Sequence, residues 1–219
     1  MINTTLIIES LPALLRGTVL TLYIAALGSC IGLSLGTIVG ILQTHKNKVI
    51  RSIAFIYASL LRGTPMLIQI FMLVYVLPQI GIMIPKFWAA ILAIGLNSSA
   101  YVSFIIKSGI ISVSRGTVEA AYVLGLSKMQ TMRFIILPQA LRVVLPALGN
   151  EFITLIKDSS LASLVGVVEL TQEGRIIISK TYDAVTLYCA VAAIYLVLTS
   201  CLSLLISCLE KRMNPHAHS

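Results

Sequence analysis

Charged residues are sparse along the chain and separate long apolar stretches. Uncharged runs cover residues 17–44, 63–85, 87–106 and 184–209, each at or above the roughly 20 residues a membrane-spanning helix needs. A fifth stretch, 146–168, is equally long; it carries Glu151, Lys157 and Asp158, but apolar residues dominate it and the polar ones are grouped. The pattern predicts an all-α fold, a multi-pass bundle of about five transmembrane helices in one domain over 1–219. The spans fall at about 15–44, 52–80, 87–108, 146–168 and 184–209. The first run is too long and too late for a signal peptide, and residues 6–15 are expected to lie partly along the interface ahead of it.

Composition agrees: of 219 residues 58% are hydrophobic and 11% charged, with a mean hydropathy of +0.97. The net charge of +8 brings nucleic acid to mind, but the distribution of the basic residues excludes it. Lys46, Lys48 and Arg51 follow the first span, Lys107, Arg115, Lys128, Arg133 and Arg142 lie between the third and fourth, and Lys211 and Arg212 follow the fifth. All fall on one side. Arg16, Lys86, Arg175 and Lys180 on the other side are balanced by Glu9, Glu173 and Asp183. The positive-inside rule then makes the first side cytoplasmic, with the N-terminus outside and the C-terminus inside.

Three features inside the spans go beyond apolarity. Gly28, Gly32, Gly36 and Gly40 recur every four residues, a face without side chains on which another backbone can close; packing within the chain is preferred over a dimer seam. Arg62, Gly63, Thr64 and Pro65 form the second feature. Eleven residues beyond Arg51, Arg62 would stand roughly 16 Å into the membrane on a straight helix, where Gly63 and Pro65 weaken the helix. Irregular backbone at that depth belongs inside protein or beside an aqueous cavity. A shallower Arg62 snorkelling to the interface is the competing reading. The third feature is polar residues in two spans: Asn97, Ser98, Ser99, Tyr101 and Ser103, then Asn150, Glu151, Thr154, Lys157 and Asp158. The second set shares one broad helical face. Such groups face a cavity or each other, so Lys157 and its acids are read either as a substrate path or as a pair that fixes packing.

Residues 114–139 form a polar interval of different character. Arg115 to Leu124 favour helix, Gly125 offers the backbone that ends one, Ser127 to Gln130 read as a capping box, and Pro138 is expected to close the second helix. A helix-turn-helix of this size cannot bury a core of its own, so it docks on its own bundle or on a second protein. Cys30, Cys189, Cys201 and Cys208 lack disulfide or metal-ligand spacing, and His45, His216 and His218 form no ligand set. No phosphate-binding glycine loop occurs and no nucleophile and base pair up, so neither catalytic nor metal residues are assigned.

The spacing Glu119, Ala120, Ala121, then Gly125, then Ile135, Leu137 and Pro138 resembles the EAA loop of bacterial ABC importer permeases. The run from Leu61 to Pro65, Asn97 to Tyr101, Gly109 to Val113 and Leu155 to Ser163 look like segments of the polar amino acid permeases, of the histidine, glutamine and arginine type. Phe104 stands where many relatives carry a glutamate, which puts a strongly cationic substrate in doubt. The resemblance implies a permease subunit of an ATP-driven, binding-protein-dependent importer for polar amino acids in the bacterial inner membrane. It implies no enzyme activity or bound cofactor in this chain, ATP and Mg being used by partner ATPase subunits. It further implies a second permease subunit, identical or homologous, and a periplasmic or lipid-anchored amino acid-binding protein. Coupling residues would be Glu119, Ala120, Ala121, Gly125, Leu126 and Pro138. The path would run past Arg62, Thr64, Asn97, Tyr101, Glu151, Lys157 and Asp158. The alternatives are an ion-coupled secondary transporter or channel subunit, with Lys157, Asp158 and Glu151 as coupling sites, or a non-transporting membrane scaffold.

Overall fold

The computed structural model describes residues 2–213, and every element among them is helical; His216 and His218 lie outside the described residues. Helix α1 (Thr4–Leu42) starts on the Asn3 side chain, which accepts from the Leu6 N–H, and runs 39 residues without a break. Residues 6–15 are therefore not a separate interfacial segment: they are the first turns of the same helix, and Pro12 lies inside it. Tertiary packing overrides the proline, because Leu14 is fully buried against Leu170, Leu187 and Val191, with Leu6 and Ile7 against the same cluster. At about 1.5 Å per residue α1 is roughly 58 Å long, well beyond the hydrocarbon thickness.

The glycine stripe of α1 packs on α4 (Lys86–Ile111) of the same chain. A Cβ placed on Gly28, Gly32, Gly36 or Gly40 would come within 2.9, 2.7, 2.6 and 2.7 Å of Ile94, Ser98, Val102 and Ser103 respectively. Helix α4 answers with Gly95, whose missing Cβ makes room for Ile31. Lipid gives two helices no hydrophobic reason to associate, so close backbone contact at small residues supplies the van der Waals energy instead.

The expected second span is broken. Helix α2 (Lys48–Gly63) stops at an extended Thr64 and Pro65, and α3 (Met66–Phe71), extended by irregular turns to Ile80, leaves at 97°. Proline has no N–H to give the preceding turn and pushes the residue before it into extended backbone. After α4 comes α5 (Arg115–Val123), then α6 (Lys128–Thr131), a π turn at Met132–Ile136, and α7 (Leu137–Asp158), which tightens into a 3₁₀ segment, Ser159–Val165. Pro138 does not close a helix. It occupies the first turn of α7 just past the π turn, where its missing N–H costs least, and the helical path continues from Lys128 to Val165 over 38 residues. Helices α8 (Leu170–Thr181) and α9 (Ala184–Met213) complete the chain. The main core joins α1, α3, α4 and α7 through Ile24, Ile70, Ile94, Leu155 and Ile156, all buried.

Candidate functional site

The break between α2 and α3 builds one wall of the site. Ending α2 at Gly63 leaves carbonyls of its last turn without helical partners, and three side chains take them up, the first being the Thr64 hydroxyl, which donates to the Leu60 carbonyl at 3.1 Å. The Gln69 amide donates to the Leu61 carbonyl (2.8 Å), the Thr64 carbonyl (3.2 Å) and the Thr64 hydroxyl (2.7 Å). Asn97 of α4 donates to the Leu61 carbonyl (3.2 Å) and to Gln69 Oε1 (3.3 Å). Sequence reasoning missed Gln69. Its signal was a lone amide in an apolar run, five residues beyond Thr64.

Against this wall lies a half-open cavity of about 420 Å³, lined by Arg62, Gly63, Thr64, Pro65, Met66, Asn97, Tyr101, Glu151, Thr154 and Asp158. Six of the seven residues assigned to the path from sequence thus share one space. Lys157 does not line it. One residue along a helix is a turn of about 100°, so Lys157 leaves the face that Glu151, Thr154 and Asp158 share, and it is exposed. The guanidinium of Arg62 lies over two rings, 4.2 Å from the centroid of Phe104 and 5.1 Å from that of Tyr101. Arg62 thus stands on the cavity wall, with aromatic faces rather than an acid as its support. Glu151 accepts from Ser98 at 2.9 Å. Below Arg62 a second cavity of about 330 Å³ includes Phe104, Ser108 and Ala147 and shares Arg62, Tyr101 and Glu151 with the first.

A second polar cluster is closed. Glu169 is fully buried and caps α8 by accepting from the Gln172 N–H at 2.9 Å. Its other oxygen accepts from Tyr195 (2.9 Å) and Thr21 (3.2 Å). Thr21 accepts in turn from the Leu170 N–H, and Thr171 and Tyr195 share a hydrogen bond of 3.1 Å. Burial raises the Glu169 carboxyl above its usual range, and these donors oppose the rise. No motif pointed to Glu169, whose partner Thr21 is 148 residues away.

The 114–139 interval forms the helix pair that its capping signals predicted. Gly125 adopts φ +80, with Leu126 N–H to Ala121 O and Gly125 N–H to Tyr122 O, both 3.0 Å, which is a Schellman ending. Ser127 and Gln130 make both bonds of the capping box. Ala121 is buried inside the pair and Leu126 half-buried, whereas Glu119, Ala120 and Pro138 are exposed. Around them stand Val123 and Leu124, 88% and 81% exposed, with Met129 and Phe134 also in the open. The tip does not pack on its own bundle; it presents apolar side chains that nothing among the described residues covers.

A family model of the binding-protein-dependent transport system inner membrane component matches residues 28–215. The chain belongs to this family. Among its relatives, the glutamine transport system permease protein of Escherichia coli (strain K12) is 38% identical over 93% of this chain and 94% of its own length. The nopaline transport system permease protein of Agrobacterium fabrum (strain C58) is 40% identical over 96% and 92%. A crystal structure of an amino acid ABC transporter with histidines superposes with a TM-score of 0.92 at 38% identity, covering 97% of this chain and 99% of that one. An inward-facing MetNI methionine ABC transporter, 22% identical over 92% and 96% at a TM-score of 0.78, shares the fold. Membership makes the chain a multi-pass ABC importer permease and replaces the readings as an ion-coupled transporter, channel subunit or scaffold.

Proposed function

We propose that this permease carries polar, zwitterionic amino acids through the cavity at the α2–α3 break. The observation that carries the reading is the convergence of Arg62, Glu151 and Asp158 on one open space of about 420 Å³. An amino acid that leaves water keeps its carboxylate on a guanidinium and its ammonium on carboxylates, or it does not enter. Arg62 takes the first role, Asp158 and Glu151 the second, and Asn97, Thr64 and Tyr101 offer neutral partners to the side chain. Phe104 contributes a ring that supports Arg62 and no charge, which favours neutral side chains over cationic ones.

The relatives support the rest of the assembly. Two permease subunits enclose the path, ATPase subunits hydrolyse ATP with Mg as cofactor on the cytoplasmic side, and a periplasmic or lipid-anchored binding protein delivers substrate outside. The basic loops set the N-terminus outside and the C-terminus in the cytoplasm, at the inner membrane. Glu119, Ala120, Ala121, Gly125 and Leu126 form the docking tip, and Pro138 stands at its base. Reconstituted complex should take up one labelled glutamine-like amino acid with ATP, in competition with other neutral polar amino acids. If only cationic amino acids compete, the role of Phe104 is wrong. Gly125→Asp, which places a side chain and a charge at φ +80, should leave the permease folded and abolish ATP-dependent uptake; full coupling in that variant would remove the tip from the mechanism.

A further inference from the structure

A cavity of about 360 Å³ at the basic end of the bundle, lined by Gln43, Arg51, Ser52, Phe55, Ile56 and Lys107, has no part in the transport site. Two cations line it and no acid does. Lys107 rests against the rings of Phe104 and Phe55, 5.6 and 6.0 Å from their centroids, contacts that hold the ammonium without neutralising it. Gln43, 1% exposed, donates from its amide to Ser103 at 3.0 Å and leaves its carbonyl oxygen with no partner. A buried acceptor without a donor is costly. The cavity therefore asks for a ligand that brings an anion for Arg51 and Lys107 and a hydrogen-bond donor for Gln43.

The surroundings identify the source of that anion. Phe55 and Ile56 are half exposed and continue along α2 with Ile53 and Leu60, both more than 60% exposed. A soluble phosphate has nothing to place there; acyl chains do. We infer that the cavity binds one anionic glycerophospholipid with a hydroxyl-bearing headgroup, of the phosphatidylglycerol type. Its phosphodiester lies between Arg51 and Lys107, a headgroup hydroxyl donates to Gln43, and its chains follow Phe55 and Ile56. Basic pockets between membrane helices near the surface are suited to such headgroups.

Native mass spectrometry on the purified permease with its ATPase subunits, delipidated and titrated with defined lipids, tests the assignment. Phosphatidylglycerol should be retained at one copy per permease chain in preference to phosphatidylcholine and phosphatidylethanolamine. Arg51→Gln combined with Lys107→Gln should weaken retention about tenfold or more, whereas Arg51→Lys should stay within about twofold of the parent. Arg51 is exposed and Lys107 partly so, and an unchanged melting temperature certifies that the variants are folded. Equal retention of the three lipids, or undiminished retention in the double variant, overturns the site. Displacement of the lipid by millimolar inorganic phosphate overturns the lipid assignment in favour of a soluble anion.

Discussion

The cavity beside Arg62 and the cluster around Glu169 draw on the same side-chain chemistry and stand in opposite states. Each brings carboxyl, hydroxyl and amide groups together between helices. Around Glu169 both carboxyl oxygens are taken up by donors from Gln172, Tyr195 and Thr21, so the carboxyl ties α1, α8 and α9 together. Around Arg62 the hydrogen bonds run along the back wall, from Gln69 and Asn97 to the broken helix and from Ser98 to Glu151. The charged ends of Arg62 and Asp158 are left facing an empty volume. Inside a membrane protein, then, a polar residue alone does not mark a site. What marks one is polarity whose partners are missing next to a space that a ligand can fill.

That contrast breaks most readily at the cavity. Asp158→Asn should reduce amino acid uptake about tenfold to a hundredfold, the worth of a hydrogen bond to a charged group, with the melting temperature within about 2 °C of the parent. A large loss of stability with uptake per folded molecule intact would reverse the two roles. Glu169→Ala should do the opposite. It strands the Tyr195, Thr21 and Gln172 donors, for a cost of about 3 kcal/mol or more in stability, measured as a drop in melting temperature, while transport per folded molecule persists. The milder Glu169→Gln keeps one acceptor oxygen and should cost about 1 kcal/mol.

Titration sharpens the same point. Burial lifts the folded Glu169 carboxyl above its usual value of 4.5, so the folded state holds that proton more tightly than the unfolded chain does. The corresponding stability is full below about pH 4.5 and is lost as pH rises through the higher folded value. Melting temperature should therefore decline across that window, and Glu169→Gln should flatten the decline; identical slopes in the two proteins would show that another group titrates. The smallest effect belongs to Lys157→Ala. Being exposed and off the cavity wall, it should change stability by less than about 0.5 kcal/mol and uptake by less than about twofold; a loss as large as that of Asp158→Asn would return Lys157 to the path.

What could be read in the sequence was whatever repeats or has local geometry. The four glycines of α1 named their own packing, since spacing by four fixes one helical face. Gly125, Ser127 and Gln130 carried the turn, because caps are decided within a few residues. Gly63 and Pro65 located the break, although not its angle. Two expectations failed for a common reason: residues 6–15 are held in α1 by packing from α8 and α9, and Pro138 is accommodated by a π turn, neither of which has a local signature. Glu169, Gln69 and Gln43 were missed for another reason. Each is a single polar residue whose meaning lies in a partner on a different helix, as Thr21 is for Glu169, and no periodicity encodes that. Lys157 was assigned by its three-residue step from Thr154 on one broad polar face, but the cavity takes only the row of Glu151, Thr154 and Asp158, and Lys157 lies at the far edge of that face, exposed.

The glycine seam bears on how this permease moves. At four successive turns the bare backbone of α1 receives Ile94, Ser98, Val102 and Ile106 of α4 with no room for a Cβ between them, and displacing one helix along the other would drive these seated side chains into the neighbouring turns. The pair is mechanically a single two-ply plank. Whatever rearrangement lets the path open first on one side and then the other has to pivot about that plank rather than through it, and the place where the chain is already cut and re-joined is the 97° corner at Thr64 and Pro65.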